Sequence, residues 1–198
     1  ASLDLDVVAD DALSNDERLL LVGPAERGTR SQIVVLAADA AGALEVTATQ
    51  VIDRVDSHRQ MALGGHLLHA VVERSLPDPP YVATHLVAYD VADTQPLLVH
   101  NEPLPFDAYW TKMAAEPDRL LVVDSSVSAN DDGLRLLDTG QADASAWPVV
   151  HRQHWPFFGV GPHALAFDGE RVLGIVDDFG LIAFDARRPF DRPEADLP

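Results

Sequence analysis

The chain has 198 residues, 47% of them hydrophobic, which is enough to bury a sizeable core as one domain or two small ones. Its 14 Lys and Arg stand against 32 Asp and Glu for a formal charge of −18, a surface that repels phosphate backbones and anionic lipid, so nucleic acid and bare membrane are poor partners. No apolar run approaches the roughly 18 to 20 residues of a membrane span, which argues against an integral membrane protein, and the lack of cysteine excludes disulfides, thiol nucleophiles and thiolate metal sites.

Asp far outnumbers Glu, Arg replaces Lys, and Lys112 is the only lysine. Salt adaptation produces that balance, and so does a high-GC genome. The sequence starts at Ala1 without a basic-then-apolar leader, as a processed form or a piece of something longer would. Cleavage of a secretory signal after a small residue gives such a start, which makes a periplasmic, cell-surface or extracellular location the expectation. None of Asn15, Asn101 and Asn130 opens a glycosylation sequon.

In chain order, Ser2 to Val8 alternates Leu3, Leu5 and Val7 with Asp4 and Asp6, the pattern of a strand with one buried face. A short apolar strand then recurs as "RLLLVG" at Arg18, "HLLHAVV" at His66, "RLLVVDSS" at Arg119 and "RVLGIVDD" at Arg171. Each is followed by a second strand, "QIVVLAAD", "HLVAYDVAD", "GLRLLDTG" or "GLIAFDARRP". Asp90, Asp138 and Asp185 close the last three, and Ala37 stands at that place in the first. A further outer strand follows in "ALEVTATQVI", "PLLVHNE" and "WPVVHRQ". Turns at Pro117-Asp118 and Asp168-Gly169 predict hairpins into the recurring strand. "DAYWTKMAAEP" reads as strand plus turn, because Pro117 ends it and the repeat requires a strand there.

About four short strands in a period of about 50 residues is the signature of a β-propeller blade. The expectation is all-β, one propeller domain over 1–198, with blades at about 10–52, 58–104, 106–156 and 159–198. The alternative is an arc of a larger six- to eight-bladed ring. Pro189, Pro193 and Pro198 spoil an outer strand in the last blade, so residues 1–9 are expected to supply the strand that closes it.

On these residues the repeats, "GLRLLDTGQADASAWPVV" foremost, resemble the LVIVD-type repeat of bacterial and archaeal propeller proteins. The departures are a missing Gly in the first two copies and a missing Asp in the first. The resemblance implies an exported or surface-attached propeller and carries no shared catalytic residues.

"GVGPHA" from Gly159 matches a dinucleotide fingerprint as a string, but Pro162 and the strand-like "LAFDGERVL" replace the helix that such a site needs. "DSSVSANDDG" gathers Asp124, Asn130, Asp131 and Asp132, a candidate calcium loop, although it lacks the EF-hand spacing and closing Glu; a solvated hairpin is the plainer reading. No other cofactor is expected. His151 and His154 fall on opposite faces of a strand and cannot share an ion.

The repeat itself points to a site, because equivalent positions converge on the axis of a propeller. One strand length ahead of Arg18, His66, Arg119 and Arg171 stand Asp10, His58, Thr111 and His163, or, shifted by a residue, Asp11, Arg59 and Lys112. The connections leading there carry Tyr109, Trp110 and Trp155. Aromatic faces among a few charges suit recognition, which makes His58, Arg59, Tyr109, Trp110, Trp155 and His163 the expected ligand- or partner-binding residues. Without a G-x-S-x-G elbow or a cysteine, no catalytic residue is assigned. The reading is a non-enzymatic binding or scaffold protein, a subunit of a larger assembly. Its rival is a lactonase-like, metal-dependent hydrolase with its site at the axis.

Overall fold

The structure, a computed structural model, describes residues 9, 11–14, 18–25, 30–53, 61–78, 82–93, 95–104, 111–125, 133–140, 147–153, 155 and 161–185. Among these residues the chain forms four antiparallel sheets and no helix. The first sheet is β1 (Asp11–Ser14), β2 (Arg18–Ala25), β3 (Arg30–Ala38) and β4 (Leu44–Asp53). The second is β5 (Met61–Gly64), β6 (Leu67–Ser75), β7 (Val82–Asp90) and β8 (Leu97–Pro103). The third is β9 (Thr111–Glu116), β10 (Arg119–Asp124), β11 (Leu134–Asp138) and β12 (Val149–Gln153), and the fourth is β13 (Pro162–Asp168), β14 (Arg171–Val176) and β15 (Gly180–Asp185). Within each sheet neighbours in space are neighbours in sequence.

Local chemistry explains the meander. Gly65 at φ 56° and Gly169 at φ 61° take the left-handed backbone of the β5–β6 and β13–β14 turns, where a side chain would be strained. The recurring Asp has a mechanical reason. Asp90 Oδ1 accepts the Ala92 N–H at 2.8 Å and Asp138 Oδ1 accepts that of Gly140 at 2.9 Å, so each carboxylate folds the chain out of its strand. Where Ala37 breaks the pattern, Asp39 does the same work two residues later, accepting the N–H groups of Ala41 and Ala43, both at 2.8 Å.

Alternation then sorts each strand's residues between two faces, and both faces of the inner sheets are buried. Leu68, Ala70 and Val72 of β6 join Leu20, Val22, Ile33 and Val35 in a core between the first and second sheets. Leu67 and Val71 point the other way, into a core with Met113, Leu120, Val122 and Leu137 of the third sheet. The third and fourth sheets share Leu121, Val123, Leu136, Val172, Ile182 and Phe184. Each fully buried Leu, Val or Phe contributes about 1.5–3 kcal/mol, so these three seams carry most of the favourable energy.

The short first strands lie innermost: β5 runs beside β9, and β9 beside β13. Contact there is close enough that a Cβ on Gly64 would come within 2.3 Å of the Glu116 carbonyl oxygen. At the same end, arginines that open the second strands reach across. Arg18 donates to the Ala92 carbonyl, and Arg119 donates to that of Gly169 while bonding Glu116 at 2.8 Å and lying 4.6 Å over the Phe167 ring.

β-Bulges recur at equivalent places in the first three sheets, at Val35/Leu36, Ala88/Tyr89 and Leu136/Leu137. In the fourth the irregularity moves to the innermost strand, between Pro162 and Ala164. That sheet has three described strands, and its far face presents Ile175 and Leu181 at 51% and 57% exposure. No described strand of the fourth sheet pairs with the first, and the expected closing strand at residues 1–9 lies almost wholly outside the described residues.

Candidate functional site

The starts of β9 and β13 meet the ends of β10 and β14 on one side of the third and fourth sheets, and polar residues collect there. Thr111 faces Asp124 across the β9–β10 pair, with Lys112 opposite Val123. Thr111, Lys112, Asp124 and Ser125 are 0%, 7%, 2% and 4% exposed. Burying an ammonium and a carboxylate costs several kcal/mol unless the groups are well paired. An apolar strand end would have packed the seam without that cost.

Glycines bring the neighbouring connections onto this cluster. A Cβ on Gly161 would lie 2.5 Å from Ser125 Oγ, and one on Gly133 would lie 3.0 Å from the Asp124 carbonyl oxygen and from Trp155. Only residues without side chains let the entries to β11 and β13 approach so closely. The Asp124 N–H in turn donates to the Gly133 carbonyl at 2.7 Å.

The fourth sheet adds a second polar pair. The irregularity at the start of β13 leaves His163 without a register partner and turns it outward. Its Nε2 lies 2.6 Å from Asp177 Oδ1, with the side chains 47% and 64% exposed. Because a carboxylate only accepts, Nε2 carries the proton and Nδ1 is left as an acceptor when the ring is neutral. A buried Thr–Asp pair and an exposed His–Asp pair thus stand at the same end of adjoining sheets, with Thr111 and His163 at matching places in β9 and β13.

Of the residues expected from sequence, His163 and Thr111, with Lys112 beside it, fall in this cluster. Trp155 is 2% exposed and packs with Leu121, Val172 and Phe184, so its ring holds the third and fourth sheets together. His58, Arg59, Tyr109 and Trp110 lie outside the described residues, as do Asn130, Asp131 and Asp132 of the candidate calcium loop. Asp124, from that loop's edge, is buried at the end of β10. No three His, Cys, Asp or Glu side chains form a metal-binding group among the described residues. "GVGPHA" runs into strand β13, not into a helix that would hold a phosphate. Ser125 and Asp177 were not picked out by sequence. The signal for Asp177 was present, since "VVDSS" and "IVDD" close equivalent strands with Asp.

Four stacked up-and-down sheets with their first strands innermost define the β-propeller fold. A solved structure agrees. The chain is similar to the β-propeller domain of the Trilobed protease from Pyrococcus furiosus, described as having an open velcro topology, with TM-score 0.54 and 12% identity over 92% of this chain and 54% of that one. It also matches the computationally designed Ika8 protein, with TM-score 0.46 and 8% identity over 94% of this chain and 61% of that one. This chain therefore spans about half the length of that propeller domain and somewhat more of the designed protein. No protein-family model matches the sequence, and no curated protein matches it.

Proposed function

We propose that the chain is a binding or scaffold protein of propeller type, engaging a small ligand or a partner protein through the end of the third and fourth sheets without doing chemistry. The observation that carries this reading is the placing there of a buried pair, Thr111 and Asp124, beside an exposed pair, His163 and Asp177, at the same end of adjoining sheets. Fixed, directional donors and acceptors on a rigid strand end are what recognition needs. His58, Arg59, Tyr109 and Trp110 are proposed as flanking contributors. The repeats' resemblance to the LVIVD type supports an exported or surface-attached protein and a place in a larger assembly, and the −18 charge supports salt adaptation.

The test is backbone NMR of the purified protein against a panel of small ligands and ions. Perturbed resonances should cluster at Lys112, Ser125, His163 and Asp177. His163→Ala and Asp177→Ala should weaken binding about tenfold, the worth of one charged hydrogen bond, with melting temperature unchanged. Perturbations confined to the outer strands β4, β8 and β12 would move the site elsewhere. One zinc or manganese per chain by elemental analysis would favour the hydrolase over this reading.

A further inference from the structure

Of the three seams, the one between the second and third sheets contains a histidine pair. β6, β7 and β8 place His69, Ala88 and His100 in one row, because the register pairs His69 with Ala88 and Ala88 with His100. Alanine is short, so a slot remains between the two imidazoles. Trp147, ahead of β12 in the third sheet, fills it. The indole stacks on His100 with centroids 3.8 Å apart and planes 6° from parallel, and it meets His69 edge to face at 5.2 Å and 66°. His69 is 0% exposed, and neither of its ring nitrogens has a hydrogen-bond partner. His100 lies 3.5 Å from Glu102 through Nε2.

We propose that this seam is an acid-sensitive joint: a proton taken up by His69 loosens the second sheet from the third, while the seams on either side hold. A neutral imidazole packs here as an aromatic ring. An imidazolium would be a buried cation with no acceptor, beside a second imidazole and against an indole edge. Strand alternation puts Glu73, Asp90 and Glu102 on the facing surface of the second sheet, and Asp124, Arg135 and Arg152 on that of the third. None of these carboxylates bonds His69. Burial, and after it the nearness of His100, holds the His69 pKa down at about 3.

The sign follows from that depression. The unfolded chain takes up the proton at its ordinary value near 6.5 and the folded chain does not. The stabilisation is therefore complete above about pH 6.5 and is lost as the pH falls toward 3. Each unit lowers the folded-to-unfolded ratio about tenfold.

Fluorine NMR of 5-fluorotryptophan-labelled protein tests the joint, because Trp155 in the neighbouring seam is an internal control. Between pH 7 and 3 at constant ionic strength the Trp147 resonance should shift or broaden while that of Trp155 holds. In His69→Phe, which keeps a ring without a proton site, Trp147 should stay unchanged. The wild type should also lose about fifteenfold in folded-to-unfolded ratio relative to the variant between pH 6.5 and 5. Simultaneous change at both tryptophans, or an equal change in the variant, would overturn the proposal. If His69→Phe fails to fold, the His69 ring proton of the wild type decides: no titration down to pH 5 supports the joint, and titration near 6.5 refutes it.

Discussion

At the scale of single residues, the turn carboxylates and the contact glycines make opposite demands. Asp138→Ala removes the acceptor for the Gly140 N–H and should cost about 1 kcal/mol, read as a lowered denaturation midpoint. Gly64→Ala should cost about 3 kcal/mol or more, because its Cβ would lie 2.3 Å from a backbone oxygen of the neighbouring sheet. Gly42→Ala is the contrast. It has φ 79° and nothing within 4 Å, so only the backbone strain of about 1–2 kcal/mol remains. Equal losses at the two glycines would contradict the close approach of the second and third sheets. The recurring Asp was legible in the sequence because it acts within its own turn. The His69, His100 and Trp147 cluster was not, because the bulge at Ala88/Tyr89 sets the β7–β8 register and the tryptophan arrives from another sheet.

At the scale of elements, strands were readable wherever Leu and β-branched runs ended in Gly, Pro or Asp. "DAYWTKMAAEP" is an example: Thr111–Glu116 is β9 and Pro117-Asp118 is its turn, since the neighbouring sheets supply the apolar surface that a strand there requires. The arginine that opens three of the four recurring strands served as a marker of the repeat, but its reach was hidden. Arg119 ties β10 to the β13–β14 turn through the Gly169 carbonyl and the Phe167 ring, and its side chain is only 19% exposed. Arg119→Ala should therefore cost about 2 kcal/mol and Arg119→Lys nearly as much, because an ammonium cannot reproduce the planar fork. Arg171→Ala, at an exposed position, should change the denaturation midpoint little. Trp155 shows the limit of reading aromatics from sequence. An aromatic in a connection looks the same whether it faces a ligand or, as here, seals a seam.

At the scale of the whole molecule, three seams join four sheets in chain order, and a charge of −18 acts on all of them. Self-repulsion should be strongest at low ionic strength, where the Debye length reaches about 30 Å at 0.01 M. Melting temperature should rise as salt is added, and a flat profile would favour genome composition over salt adaptation. β10 and the entry to β13 converge, so that two sheets build one polar surface. With no native cysteine, Ser125→Cys combined with Gly161→Cys tests it without ambiguity. A Cβ at Gly161 would lie 3.4 Å from that of Ser125, close to the roughly 3.5–4.5 Å of a disulfide. The double variant should oxidise to a single intramolecular bond and leave no thiol to titrate. Two free, reactive thiols in a folded, oxidised sample would mean that the third and fourth sheets do not meet at this end.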